Sequence, residues 1–147
     1  MENIWDKAVK AFAAFSGAVA GAFGGFDPVF RVLLACMVVD YVSGVIVAIM
    51  GRSSKTASGG LDSKIGARGI AKKGLMLLVV LIAALLDSAL GTEQQIFRSA
   101  AIWFYVANES LSILENMALA RVPFPQKLLN ALEQIKRRNN APENGKE

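Results

Sequence analysis

Two carboxylates stand where hydrocarbon would be expected. Asp40 lies near the middle of "VLLACMVVDYVSGVIVAIM", and Glu109 lies inside "IWFYVANESLSILENMA". A charged side chain at the centre of a bilayer costs roughly 2.5–3.5 kcal/mol on insertion scales, so such residues face other helices or water. At 100° per residue, Asp40, Ser43, Gly44 and Val47 share one helix face. Tyr105, Asn108, Glu109, Ser112 and Asn116 form a second polar stripe, with Glu115 at its edge. The chemistry open to these stripes is hydrogen bonding and proton exchange. They are read as pore-lining or interhelical polar residues, which leaves three uses open: helix-to-helix contacts, the wall of a wetted path in an oligomer, or a proton relay. No basic residue is expected at their depth, so the two carboxylates are expected to be protonated when packed, donating to each other or to Ser and Asn, and ionised when wet. A second set, Arg31, Asp87 and Arg98, falls near the opposite ends of the apolar runs and is expected to form an outer charge cluster.

Other chemistries lack their residues. The 147-residue chain has no histidine and one cysteine, Cys36, which removes the usual ligands for zinc, copper or haem and any internal disulfide. No cofactor or metal is expected. Serines without histidine, and lysines in polar segments, provide no nucleophile and base at a recognisable spacing, so no catalytic residues are assigned and the chain is not expected to be an enzyme. Gly59, Gly60, Gly66 and Gly69 beside lysines lack phosphate-loop spacing. The basic residues flank apolar runs without an aromatic platform, which argues against nucleic acid as a partner.

The elements that must position the two stripes follow from segregation of charge. Hydrophobic residues make up 54% of the chain and charged ones 19%. About 20 apolar residues cross a bilayer. Residues 29–50, 70–90 and 96–118 are expected to span, the first entered at Asp27-Pro28 and left at Gly51-Arg52. Residues 51–69 read as a basic polar loop. Basic residues concentrate in that loop and after residue 118, which places both on the cytoplasmic side. Measured from the outer end of each span, Asp40 and Glu109 then lie at about the same level, roughly 16–20 Å deep.

The stretch 8–26 is marginal as a span, since its 16 uncharged residues from Ala11 to Phe26 cover about 24 Å as a helix. It presents Ala13, Gly17, Gly21 and Gly25 as a small-residue packing ridge. Phe12, Phe15, Val19, Phe23 and Phe26 lie opposite. A fourth span and an interfacial helix dipping its Phe face into lipid are both open, and a cleaved signal peptide is a weaker third reading. After "VPFP", residues 125–138 place Leu128, Leu129, Leu132 and Ile135 on one face, as in an amphipathic helix on an anionic leaflet. Residues 139–147 read as a disordered tail. The fold class is therefore all-α: one integral membrane domain, 1–147, with three to four membrane helices and a cytoplasmic amphipathic C-terminal helix.

"DYVSG", "SSKTASGG" through "GIAKKG", and above all "RSAAIWFYVANESLSILENMALARVPFPQKLLNALEQ" resemble the toxin secretion/phage lysis holin family over Asp40 to Gln134. Where that family's pattern has a glycine before "VPFP", this chain has Arg121. The resemblance implies a multi-pass protein of the bacterial host's inner membrane whose partners are membrane lipid and further copies of itself. It implies large lesions that release an endolysin, or in some relatives a toxin, and so time lysis. A small ion or proton channel or transporter and a holin antagonist are the alternatives.

Overall fold

The computed structural model describes residues 3–123 together with Pro125, Lys127, Asn130 and Gln134. Most of the amphipathic helix expected over 125–138, and all of the tail over 139–147, lie outside the described residues. Four helices follow one another: α1 (Ile4–Ala22), α2 (Pro28–Ile49), α3 (Ser63–Leu90) and α4 (Ile96–Leu119). No strand occurs among the described residues.

Local chemistry sets most of the boundaries. Asp27 caps α2 by accepting the Phe30 amide at 2.9 Å, with Pro28 at the first helical position, where its fixed φ suits a helix start. Asp62 caps α3 through the amides of Lys64 and Ile65 at 2.8 and 3.2 Å. Helix α3 therefore starts within the segment expected as loop, and the run 63–69 is helical. Gly91, at φ +65, closes α3 in the left-handed conformation. At the end of α4 Arg121 takes φ +60, the conformation that the family's glycine would favour.

Contacts across the bundle fix the directions of the helices. Arg98 at the start of α4 reaches Asp27 before α2, and Asn116 late in α4 reaches Asp40 and Ser43, so α2 and α4 run parallel. Asp87 meets the first residues of α4, whereas Lys73 meets Glu109, so α3 runs antiparallel to both. Helix α4 packs along both α2 and α3, while α2 and α3 touch little. The apolar centre consists of Phe30, Leu33 and Met37 from α2, Met76 and Val80 from α3, and Ile102 from α4. Their spacings of three and four residues make one inward stripe per helix.

The outward faces of α2, α3 and α4 are largely apolar, and several polar groups are buried between them. Buried residues include Asp40, Ser43, Asp87, Arg98, Glu109 and Asn116, while Val38, Val42 and Ile46 of α2, Leu75, Leu78 and Ile82 of α3, and Trp103 and Phe104 of α4 are exposed. Water would penalise that surface and hydrocarbon would not. Helices α2 and α3 are long and apolar enough to cross a membrane. With 22 and 28 residues, they extend about 33 and 42 Å, against a hydrocarbon core of about 30 Å.

Candidate functional site: two polar layers in an apolar bundle

The first layer closes the end of the bundle where α2 and α4 begin. Arg98 is 1% exposed, and the loop after α1 wraps its guanidinium. Nη1 donates to Asp27 Oδ2 at 2.8 Å and to Gln95 Oε1 at 3.1 Å, and Nη2 donates to Asp27 Oδ1 at 3.1 Å and to the Gly25 carbonyl at 3.0 Å. Nε donates to the Phe23 carbonyl, and the cation lies 5.8 Å from the centre of the Phe30 ring. A planar fork with five donors meets this set of acceptors, which an ammonium could not. The Arg98 hydrogen bonds hold the Asp27 carboxyl below its ordinary value of 3.8, and the Phe30 amide adds to that effect against the opposing cost of burial.

Asp87 has a different task in this layer. Its carboxylate accepts the backbone amides of Phe97 at 3.2 Å and Arg98 at 2.7 Å, along with the Thr92 hydroxyl. Gln95, the residue preceding α4, makes no side-chain cap, so a carboxylate from α3 satisfies the open amides of α4 from across the turn. The expected cluster of Arg31, Asp87 and Arg98 thus changes membership. The Arg98 guanidinium pairs with Asp27, Asp87 binds the Arg98 backbone, and Arg31 is exposed without an ion pair among the described residues. Placing Asp27 just outside the span hid it as a partner in the sequence.

The second layer joins all three long helices. Lys73 Nζ of α3 donates to Asp40 Oδ2 of α2 at 2.8 Å and to Glu109 Oε2 of α4. Asn116 Nδ2 lies 3.2 Å from both the Asp40 backbone carbonyl and Oδ1, and 2.9 Å from Ser43 Oγ, which itself donates to the Asp40 carbonyl at 3.0 Å. The expectation that no basic group reaches the two carboxylates is overturned. Because α3 begins at Ser63, Lys73 is about three turns inside a helix, and its four-carbon stem carries the ammonium between the carboxylates. The equal depth of Asp40 and Glu109 is the sequence signal for a cation between them, since two like charges at one level in a dry interior need a counter-ion.

A cavity of about 470 Å³ opens beside this triad. Gly44, Ser112, Asn108 and Glu115 line it along with Asp40, Lys73, Glu109 and Asn116, and the α2–α3 loop contributes Ser53, Ser54, Lys55 and Thr56. Gly44 faces Asn116 closely, since a Cβ there would sit 3.6 Å from Nδ2. Asn108 and Glu115 are exposed, whereas Ser43, Glu109 and Asn116 are buried. The charged groups of the two layers lie roughly 17–21 Å apart along the helices, from the separations of Asp27 and Asp40, Lys73 and Asp87, and Arg98 and Glu109 in the chain, and the apolar centre fills the space between them.

The small-residue ridge is not packed within the chain. Ala13, Gly17 and Gly21 are exposed on α1, and a Cβ added to Gly17 or Gly21 would meet nothing within 4 Å. Gly25 is not on that helix: α1 ends at Ala22, and Gly25 lies in the following loop at φ +110. Helix α1 has no buried residue.

An apolar exterior around charged layers, carried by helices long enough to cross a bilayer, defines a helical membrane protein. The chain belongs to the bacteriophage holin family, whose profile matches residues 17–137. This is a non-enzymatic family of membrane pore formers. The chain is 41% identical over 135 residues to an uncharacterized 14.9 kDa protein of the nagH 3′ region in Clostridium perfringens, covering 92% of this chain and 97% of that one. It is 30% identical to the Bacillus subtilis protein YtkC, covering 89% and 92% of the two chains. The same identity links it to a probable holin of Bacillus phage phi105, over 74% of each chain. No solved structure matches.

Proposed function

We propose that this chain is a holin of the bacterial inner membrane, accumulating there in a silent packed form and then self-assembling into lesions that release an endolysin or a toxin. In this reading α2, α3 and α4 all span, and the α2–α3 loop and the C-terminus face the cytoplasm. The basic residues Arg52, Lys55, Lys64, Arg68 and Lys72 favour that orientation. Although α4 is less apolar than α2 and α3, its 24 residues extend about 36 Å; Arg98 and Glu109 are buried while Trp103 and Phe104 face outward, and the exposed Glu115 lies in the last turns of the helix.

The observation that carries the proposal is the complete internal pairing of the buried polar atoms. Among the described residues no buried side-chain nitrogen or oxygen lacks a partner. A protomer of that kind is compatible with lipid on every apolar face and harmless as it accumulates. Assembly would exchange the internal partners of Asp40, Ser43, Glu109, Ser112 and Asn116 for water along a shared wall. The exposed ridge of α1 provides a surface on which further copies pack.

The test is inducible expression with and without a co-expressed endolysin, following turbidity and membrane potential. Abrupt lysis only with endolysin, accompanied by loss of potential, is expected. Lysis without endolysin, or none with it, would refute the proposal. The cavity beside the triad favours a second reading, a proton or ion relay through Asp40, Lys73 and Glu109. Such a relay would dissipate potential and release no protein. An antagonist of another holin would do neither on its own.

A further inference from the structure

We infer that Lys73 is the positioning residue that holds the packed protomer shut, a role that rests on the holin reading above. Three observations place it there. Helix α3 lies along α4 and touches α2 little, and beside the triad the space among the three helices is the 470 Å³ cavity. On the loop side of the apolar centre, the described cross-helix hydrogen bonds made by α3 are those of the Lys73 ammonium to Asp40 and Glu109. The other end of α3 is secured separately, through Asp87 on the amides of α4. Helix α3 is thus pinned at one end by an amide cap and near the other by one side chain.

The surroundings of Lys73 suit a tie that can be released. Its side chain is 15% exposed, against 10% for Asp40 and 4% for Glu109. All three side chains line the cavity, so water entering it from the α2–α3 loop meets the tie itself, the ammonium being the most exposed of the three groups. Beyond the triad, Met37, Met76, Val80 and Ile102 seal the path. Loss of the tie leaves α3 free to swing about its capped end. The swing widens the cavity and turns Asp40 and Glu109 toward whatever lies beside the protomer: lipid when it is alone, and the polar stripe of a neighbour when copies are crowded. Two unpaired carboxylates facing lipid are costly, so the open form is favoured only within an assembly. The residue would set how readily crowding opens the protein, while Asp40 and Glu109 provide the wetted surface.

The experiment uses the full chain in bacterial membranes, with Cys36→Ala throughout. A cysteine pair at Tyr41 and Gly66, where a Cβ on Gly66 would face the far end of the Tyr41 ring, reports closure of α3 on α2 through a bifunctional thiol reagent long enough to replace that ring, a direct disulfide needing the two Cβ atoms within about 4.5 Å. Lys73→Met should lower that cross-linking about tenfold or more, as expected for removing one partner from a buried pair. It should also advance the onset of endolysin-dependent lysis, whereas Lys73→Arg should restore both. Amide exchange at Phe97 and Arg98 should stay slow, because the capped end is untouched; a general loss of fold would speed it. If Lys73→Met does not accumulate, Lys73→Gln, which removes the ammonium and leaves both carboxylates in place, is read in its stead and should advance onset likewise. Wild-type onset and cross-linking in the variants, together with wild-type endolysin-dependent lysis, would overturn the role of Lys73 alone. Absence of lysis from every chain, wild type included, would overturn the holin reading beneath it.

Discussion

Removing the guanidinium of Arg98 is the sharpest perturbation of the outer layer. Arg98→Ala deletes two bonds to Asp27 and one each to Gln95, Phe23 and Gly25. Hydrogen bonds to charged groups contribute about 1.5–3 kcal/mol apiece, but they do not add here. The Asp27 side chain is 39% exposed, so water takes over much of its solvation once the fork is gone, and the loop carbonyls are partly accessible too. What is not recovered is the packing of a fully buried side chain under Phe30 and the ordering of the 23–27 loop. Together these give a loss of about 3 kcal/mol, within the range for breaking a buried pair. That corresponds to a rise of roughly a hundredfold in the population of the opened loop. Hydrogen exchange of the Gly24, Gly25 and Phe30 amides, measured in lipid bicelles, reads that population directly. These amides donate to Gly21, Ala20 and Asp27. Arg98→Lys should fall between the two, since an ammonium keeps the charge and loses the fork. Exchange in Arg98→Ala within about twofold of wild type would refute the reasoning and reduce the clamp to a surface contact.

Gly24→Ala tests the same clamp from the loop. Gly24 has φ +75, and a Cβ there would lie 2.9 Å from Arg98 Cδ, so the substitution should cost about 1–2 kcal/mol, read as a lowered unfolding midpoint; an unchanged midpoint would contradict the close approach. Acid should loosen the clamp. The Asp27 carboxyl is depressed in the fold by Arg98, so its stabilisation is present above the unfolded value near 3.8 and disappears as pH falls through the lower folded value. A Phe30 amide signal titrating with a midpoint at or above 3.8 would reverse that sign. Asp87→Ala should expose the first amides of α4, giving faster exchange at Phe97 and Arg98 while the Lys73 end stays protected. Equal acceleration at both ends would mean that the helix ends are not independently secured.

The particular residues show where sequence reasoning reaches and where it stops. Helix α2 was legible because Asp27-Pro28 starts a helix by local hydrogen bonding and Gly51 ends it by a backbone preference, both acting within a few residues. The inward faces of α2 and α4 were legible because a period of 3.6 residues puts Asp40 beside Ser43, and Glu109 beside Ser112 and Asn116, whatever the rest of the chain does. Ser63 as the start of α3 was missed because the run 63–69 is polar and glycine-containing; the Asp62 cap and continuity with the apolar run after Ile70 outweigh its low helix propensity.

Sequence by itself determined the composition of the faces: oily outside positions, a few charges at fixed intervals, and family membership carried by the α4 motif. Tertiary structure alone decided the partners. Asp27 rather than Asp87 receives the Arg98 guanidinium, and Lys73 rather than a second protonated acid sits between Asp40 and Glu109. The physical reason is range. Helix periodicity and capping act over a few residues, whereas an ion pair between residues 33 or 71 apart in the chain depends on the relative register of whole helices, which only their packing sets.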